Sequence, residues 1–207
     1  MNGGRLDVIK SLILPAERIA DVGCDHAIIA EYCINSGYFK NVIASDISEK
    51  CLQKAKVRLG SAKNATFYCC DGLGYECDEA VIAGMGGLLI SEILVKAKTL
   101  PQTLIVCPHR DEYTVRKTLV SLNYRIDCDI PIEDRKKHYS VIRAVKCEVA
   151  KALDELQLHF GVNYKTPNAA LKSRLVKLRK AYMNAPRQNA DKLDLIDRAL
   201  KFQDVGD

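Results

Sequence analysis

Ala20-Asp21-Val22-Gly23-Cys24-Asp25-His26 carries a short apolar segment into a turn at a glycine. Arg18 to Val22 reads as a strand, and about Ala27 to Asn35 reads as a helix. A glycine directly after a strand lets the chain turn sharply and lets a ligand approach the backbone. The same unit recurs downstream. Val42 to Asp46 is a second strand, followed by Ser48 as the cap of a helix that exposes Glu49, Lys50 and Lys54. Ala65 to Cys70 and Glu79 to Ala83 are the third and fourth strands, with a helix from about Leu88 to Lys98. Thr103 to Cys107, very apolar, is a fifth, with a helix over roughly Asp111 to Leu122. Two last strands, near Tyr124–Ile132 and Tyr139–Cys147, have only the turn Glu133-Asp134-Arg135-Lys136-Lys137 between them, so they pair antiparallel. Repeated strand–helix units predict an α/β, Rossmann-like sheet of seven mostly parallel strands covered on both faces.

The 207 residues suffice for one such domain and a small appendage. Residues 1–150 are assigned to the sheet domain and 151–207 to a helical pair. In the latter, Leu171, Leu175, Leu178 and Tyr182 recur at helical spacing, as do Leu193, Ile196 and Leu200 after Pro186. No run approaches the roughly 20 apolar residues of a membrane span, and no signal-peptide pattern is present. Nine scattered cysteines without a C-x-x-C spacing point to reduced thiols in a cytoplasmic protein and give no metal site.

Acidic residues and glycines stand at successive strand ends, where open α/β sheets bind nucleotide-like ligands. Asp21 and Gly23 open the first turn, and the helix that follows offers unpaired N–H groups and a partial positive charge. Asp25 and Ala27 stand where nucleotide fingerprints carry glycines. Asp25 would repel a pyrophosphate but suits a cofactor bearing an ammonium and a sulfonium, S-adenosyl-L-methionine; it also reads as a helix cap. Asp46, with Ile47 beside it, is placed to accept ribose hydroxyls, and Asp71-Gly72 to accept from the adenine amine. The loop Ala83-Gly84-Met85-Gly86-Gly87 leaves an unobstructed slot where methyl and acceptor meet. It lacks the Asn/Asp-Pro-Pro-aromatic motif that orients exocyclic amines, so an acceptor with a free lone pair, such as adenine N1, fits better, and no catalytic base is assigned. His26 reads as orienting this loop, as facing the substrate, or as a satisfied pocket histidine.

Asp21-Val-Gly-Cys-Asp25-His26, Asp71-Gly72-Leu73, Ala83-Gly84-Met85-Gly86-Gly87, Arg5-Leu6 and the late Phe160-Gly161 together resemble the bacterial tRNA (adenine-N1)-methyltransferase family known as TrmK. The resemblance spans nearly the whole chain. It implies a class I methyltransferase domain, S-adenosyl-L-methionine, and methylation of adenosine 22 in a tRNA held partly by the C-terminal helices. The chain departs from the family at Ile28-Ile29-Ala30, where the family has an aromatic-Leu-Pro run, and at Cys107-Pro108, where it has Gln-Pro. A cysteine cannot replace the hydrogen bonds of a glutamine; His109 and Arg110 follow at once as candidates to compensate. Tyr139, before the last strand, is placed either to stack on an extruded adenine or to pack at the rim.

The net charge is only +5, but Lys165 to Arg187 holds seven basic residues and no acid. If the leucines face inward, Lys172, Arg174, Lys177, Arg179 and Lys180 spread over the outer surface as a footprint for RNA. About four phosphate contacts would give a log–log salt slope of about −3 to −4. Nothing in the sequence points to an obligate protein partner. Two rival readings remain: a methyltransferase acting on another RNA, a protein or a small molecule, and a non-catalytic RNA-binding module that keeps a cofactor pocket.

Overall fold

Alternation along the strands sets the layers of the structure, a computed structural model that describes residues 4–204. In β1 (Arg18–Val22), Ile19 packs on one side of the sheet and Ala20 and Val22 on the other. Val42 and Ala44 oppose Ile43 in β2 (Asn41–Asp46), and Val81 opposes Ala80 and Ile82 in β4 (Glu79–Ala83). Ile105 and Cys107 oppose Leu104 and Val106 in β5 (Thr103–Cys107). Both faces are apolar because both are covered, which is why these strands read as continuous hydrophobic runs. One face carries α1 (Arg5–Leu12), α2 (Ile28–Ser36) and α3 (Glu49–Leu59), through Ile9, Ile29, Cys33, Leu52 and Ala55. The other carries α4 (Gly87–Lys96) and α5 (Glu112–Ser121), through Ile90, Leu94, Val115 and Leu119.

With β3 (Ala65–Cys69), β6 (Tyr124–Asp134) and β7 (Lys137–Lys146), the seven strands lie in the order β3-β2-β1-β4-β5-β7-β6. Strands β1 to β5 run parallel, and β7 is antiparallel to both β5 and β6. From β1 the chain moves outward through β2 and β3, then returns to β4 on the other side of β1. The reversal opens a crevice at the carboxyl ends of β1 and β4, the position where open α/β sheets bind ligands.

Three features differ from the sequence reading. The final turn is tighter than the five residues expected: Glu133 and Asp134 pair with His138 and Lys137, leaving only Arg135-Lys136 at the bend. Residues 5–12 form α1, which the sequence reading left unassigned. A short helix, α6 (Glu155–Phe160), precedes α7 (Ala169–Tyr182) and α8 (Ala190–Leu200), with an Asp154–Gln157 capping box at its start. Leu156, Phe160, Tyr164, Leu171, Leu175, Ile196 and Ala199 form a separate small core among these three helices.

A buried ion pair joins that core to the sheet. Arg116 on α5 is wholly enclosed and donates to both oxygens of Asp129 on β6, from Nε at 2.7 Å and Nη2 at 3.1 Å. Its Nη1 donates to the Leu158 carbonyl at 2.9 Å, and Val162 N–H donates to Asp129 Oδ2 at 3.2 Å. Gly161 has φ +100°, and a Cβ there would lie 3.0 Å from the Asp129 carboxylate. Phe160 fills the small core while Gly161 lets the chain pass Asp129, which gives the Phe-Gly pair its physical meaning. Among the described residues, no helix is long and apolar enough to cross a membrane.

Candidate functional site

The first turn is built against β2. Gly23 (φ +70°) and Cys24 both donate to the Ser45 carbonyl, at 2.8 and 2.9 Å. A Cβ on Gly23 would stand 2.0 Å from Met85 Cε, so the glycine is what lets the Met85 side chain lie across the crevice. Asp25 (φ +35°) and Ala27 (φ +50°) keep the left-handed backbone although neither is glycine. Asp21 sits beneath this turn: it is buried, and its Oδ2 accepts from the Ala30 N–H at 3.1 Å, in the first turn of α2. Burial raises its carboxyl pKa to about 7. Asp21 therefore positions the helix rather than facing the crevice.

The remaining sequence candidates fall as follows. Asp25 turns its carboxylate onto Lys54 of α3, 2.8 Å away, and that hydrogen bond lowers its pKa. His26 is 64% exposed, with Nε2 3.3 Å from Asp25 Oδ2, so it is not enclosed in a pocket. Asp46 ends β2 and accepts from Asp25 N–H at 3.3 Å and Ser48 N–H at 2.9 Å, while the Ser48 hydroxyl caps α3 by accepting from Cys51 N–H. Asp46 thus stands between the two loops. Ile47 beside it is 71% exposed, an unusual position for an isoleucine and a suitable floor for a flat base. Asp71 is exposed two residues beyond β3, whose last residue Cys69 pairs with Asp46, and the Asp46 carbonyl accepts from Cys70 N–H at 3.1 Å. Gly72 (φ +73°) packs on Ile93, where a Cβ would approach to 2.9 Å.

The glycine loop after β4 is joined to the loop after β5. His109 N–H donates to the Met85 carbonyl at 2.8 Å, and Gly87 N–H to the Arg110 carbonyl at 2.9 Å. A Cβ on Gly87 would meet the Asp111 and Arg110 carbonyl oxygens at 2.6 and 2.7 Å. Gly84 (φ +85°) has no atom within 4 Å of where a Cβ would be, which leaves an open cradle beside Met85. The Arg110 side chain, 80% exposed, lies near Gly86.

Across from this loop stands a cluster the sequence reading weighted lightly. Arg5 Nη1 donates to His109 Nε2 at 2.9 Å, and its guanidinium lies 5.1 Å from the centre of the Tyr139 ring. His109 meets the same ring edge-on at 5.9 Å. Arginine can only donate, so Nε2 accepts and His109 is the neutral tautomer protonated at Nδ1. Burial first, then Arg5 and Lys137, lower its pKa and keep it neutral. Cys107, by contrast, is fully buried on the α1–α2 face, its thiol pushed up to about 12 by burial. The cysteine does not face the crevice, and His109 and Arg110 present the polar groups there.

The α7 cations are not an open stripe. Arg174 is bidentate to Glu112 on α5, with both contacts at 3.1 Å, and only 22% of its side chain is exposed. Lys177 lies 3.1 Å from His138 Nε2 and 3.6 Å from Glu133, Arg179 pairs with Asp197 at 2.6 Å, and Lys172 with Asp204 at 3.1 Å. Lys180 is exposed, with no charge partner among the described residues. The sequence run lacks acids, but the fold brings acids to it from α5, α8, β6 and the chain beyond α8.

A seven-stranded sheet in this order, with a glycine turn after β1 and a carboxylate ending β2, defines the Rossmann-like methyltransferase class. The chain belongs to the methyltransferase domain family, which matches residues 3–142. The Bacillus subtilis tRNA (adenine(22)-N(1))-methyltransferase is 29% identical over 168 residues, covering 76% of this chain and 71% of that protein. The structure of Mycoplasma capricolum TrmK with S-adenosyl-homocysteine is 25% identical, covers 98% of this chain and 96% of its own, and superposes with a TM-score of 0.83. A Streptococcus pneumoniae protein solved with S-adenosyl-L-methionine is 24% identical, covers 97% of this chain and 100% of its own, and has a TM-score of 0.87.

Proposed function

We propose that this protein is an S-adenosyl-L-methionine-dependent methyltransferase of the cytoplasm that acts on N1 of adenosine 22 in tRNA. The reading is carried by one observation: at the strand-order reversal the Met85 side chain reaches Gly23, Asp46 accepts from the Asp25 N–H of the same turn, and the Met85 loop is joined to His109, which meets the Tyr139 ring. The names of the relatives support it.

The residues fit the cofactor. Gly84 leaves a backbone cradle that a side chain would fill, while the room beside Gly23 is taken by the Met85 side chain. Asp46 is a carboxylate at the end of β2 for the ribose hydroxyls, and Asp71 with exposed Ile47 suits the adenine. When bound, the cofactor supplies an electrophilic methyl on a sulfonium. The α2 N-terminus, set in place by buried Asp21, presents unpaired N–H groups to its carboxylate.

Adenine N1 carries its own lone pair, so the protein does not have to remove a proton before the transfer. Its work is alignment. Tyr139 offers a ring face for an extruded base, held by Arg5 and His109. His109 is neutral with Nδ1–H remaining as a donor, and a neutral imidazole does not repel the cationic 1-methyladenine that forms. We assign residues 1–150 to catalysis and give 151–207 a share of the tRNA binding, with Lys180 as an open cation of α7.

Labelled methyl transfer to unmodified tRNA, followed by nucleoside analysis, tests the proposal. The expected product is 1-methyladenosine at one position, lost when adenosine 22 is replaced. Methyl incorporation into any other nucleoside would overturn the assignment while leaving the enzyme class. Cofactor binding without transfer to any tRNA would favour the non-catalytic reading.

A further inference from the structure

The hairpin joining β6 to β7 bends through Arg135 and Lys136 alone, with φ +50° and +65°. Two consecutive left-handed residues define the tight turn that asparagine–glycine ordinarily fills, because L side chains other than Asn, Asp and Gly are disfavoured there. Two long cationic side chains thus occupy the positions least suited to them. Lys137 follows. None of the three makes an ion pair among the described residues, in contrast to Arg174, Lys177 and Arg179 on α7.

The turn overhangs a cleft that runs from α1 to His109 and Tyr139. Arg5 and Lys10 line the α1 side, so five cations surround it against two carboxylates, Asp7 and Asp134. One of those is already engaged: Asp7 Oδ2 accepts from the Gly4 N–H at 3.0 Å. Glu133 points the other way, toward Ser173 and Lys177. The cleft thus has an aromatic ring and a neutral histidine at its inner end and uncompensated positive charge along its rim. A flat base entering at Tyr139 would bring its flanking phosphates past that rim.

We infer that the cleft between α1 and the β6–β7 turn, through Arg135, Lys136 and Lys137, is the main phosphate-gripping surface for the RNA strand around the target base. This rests on the reading of the protein as a tRNA methyltransferase.

The test measures unmodified tRNA affinity against salt for the full chain and three variants. In R135Q/K136Q/K137Q the log–log slope should flatten by about 2, from about 0.7 per phosphate contact on single-stranded RNA. Affinity at moderate salt should fall about tenfold or more, with the S-adenosyl-L-methionine affinity from calorimetry unchanged. R179Q, which removes an α7 cation already paired with Asp197 of α8, should move the slope by less than about 0.35, half the value of one open contact. The third variant, R135N/K136G, keeps the tight turn and relieves its backbone, so its urea midpoint should rise while its tRNA affinity falls; a folding defect cannot produce both. If the wild type binds tRNA with a steep slope and the triple variant matches it, the inference is overturned and the functional reading stands. If the wild type shows no salt-dependent tRNA affinity, the functional reading falls and takes this inference with it.

Discussion

Asp21 and Asp46 stand on the paired neighbours β1 and β2 but differ in role. Asp46 accepts two backbone N–H groups and remains partly open to the crevice. Asp46→Ala removes an ionised acceptor for ribose hydroxyls, and hydrogen bonds to charged groups contribute about 1.5–3 kcal/mol. S-adenosyl-L-methionine affinity should fall about 10- to 100-fold by calorimetry, and unchanged binding would show that the cofactor does not sit at β2. Asp21 is buried with its pKa raised to about 7, well above the ordinary carboxyl value of 3.8. Between those two values the folded state holds a proton that the unfolded chain has released, so burial of this group weakens the fold as pH rises from about 4 to 7. Asp21→Asn keeps an oxygen for the Ala30 N–H without the charge. At pH 8 it should raise the unfolding free energy by on the order of 1–2 kcal/mol and flatten the stability profile between pH 4 and 7. A variant less stable than wild type at pH 8 would mean that the ionised carboxylate itself is needed. Sequence spacing placed Asp21 and Asp46 in β1 and β2 and Asp25 in the turn after β1, where the structure has them. It could not separate the buried one from the open one, because a strand's last residues look alike until the helix that covers them is in place.

At the scale of elements, β1, β4 and β5 were legible to the residue, since runs covered on both faces have no competing pattern. The hairpin was read too loosely because Arg135-Lys136 carries no turn signal; its bend comes from the pairing of β6 with β7, not from local preference. The α7 stripe was misjudged for a similar reason: an absence of acids within a segment says nothing of acids delivered by α5 and α8. Gly161 and Gly87 show the converse, glycines whose purpose appears only across the fold. Gly161→Ala would press a Cβ to 3.0 Å from the Asp129 carboxylate at a backbone φ of +100°. It should lower stability by about 1–3 kcal/mol in urea and loosen α6, read as faster proteolysis after residue 150. An equal effect on the sheet and the C-terminal helices would show instead that they unfold as one unit.

For the whole molecule, the buried Arg116–Asp129 pair decides whether the two parts of the chain are separable. Its charges are satisfied from both sides: Ser140 Oγ on β7 accepts from Arg116 at 2.9 Å, and the Leu158 carbonyl accepts at the same distance. Removing one member of a buried pair strands the other charge, which destabilises by about 3–5 kcal/mol. Cutting the chain at residue 150 removes the Leu158 carbonyl and the Val162 N–H without removing either charge, so the truncated protein keeps the pair but exposes it to water. Water can replace those two partners, and the sheet domain should therefore survive with a stability reduced by less than the Arg116→Ala variant. Gly23 and Asp46, at the ends of β1 and β2, lie far from this junction in the sheet order, so the truncated protein should bind S-adenosyl-L-methionine with near wild-type affinity while losing tRNA affinity only in part, because the hairpin cations remain. Calorimetry and tRNA binding on residues 1–150, beside Arg116→Ala in the full chain, check this: loss of cofactor binding on truncation would mean that the C-terminal helices hold the crevice itself in shape.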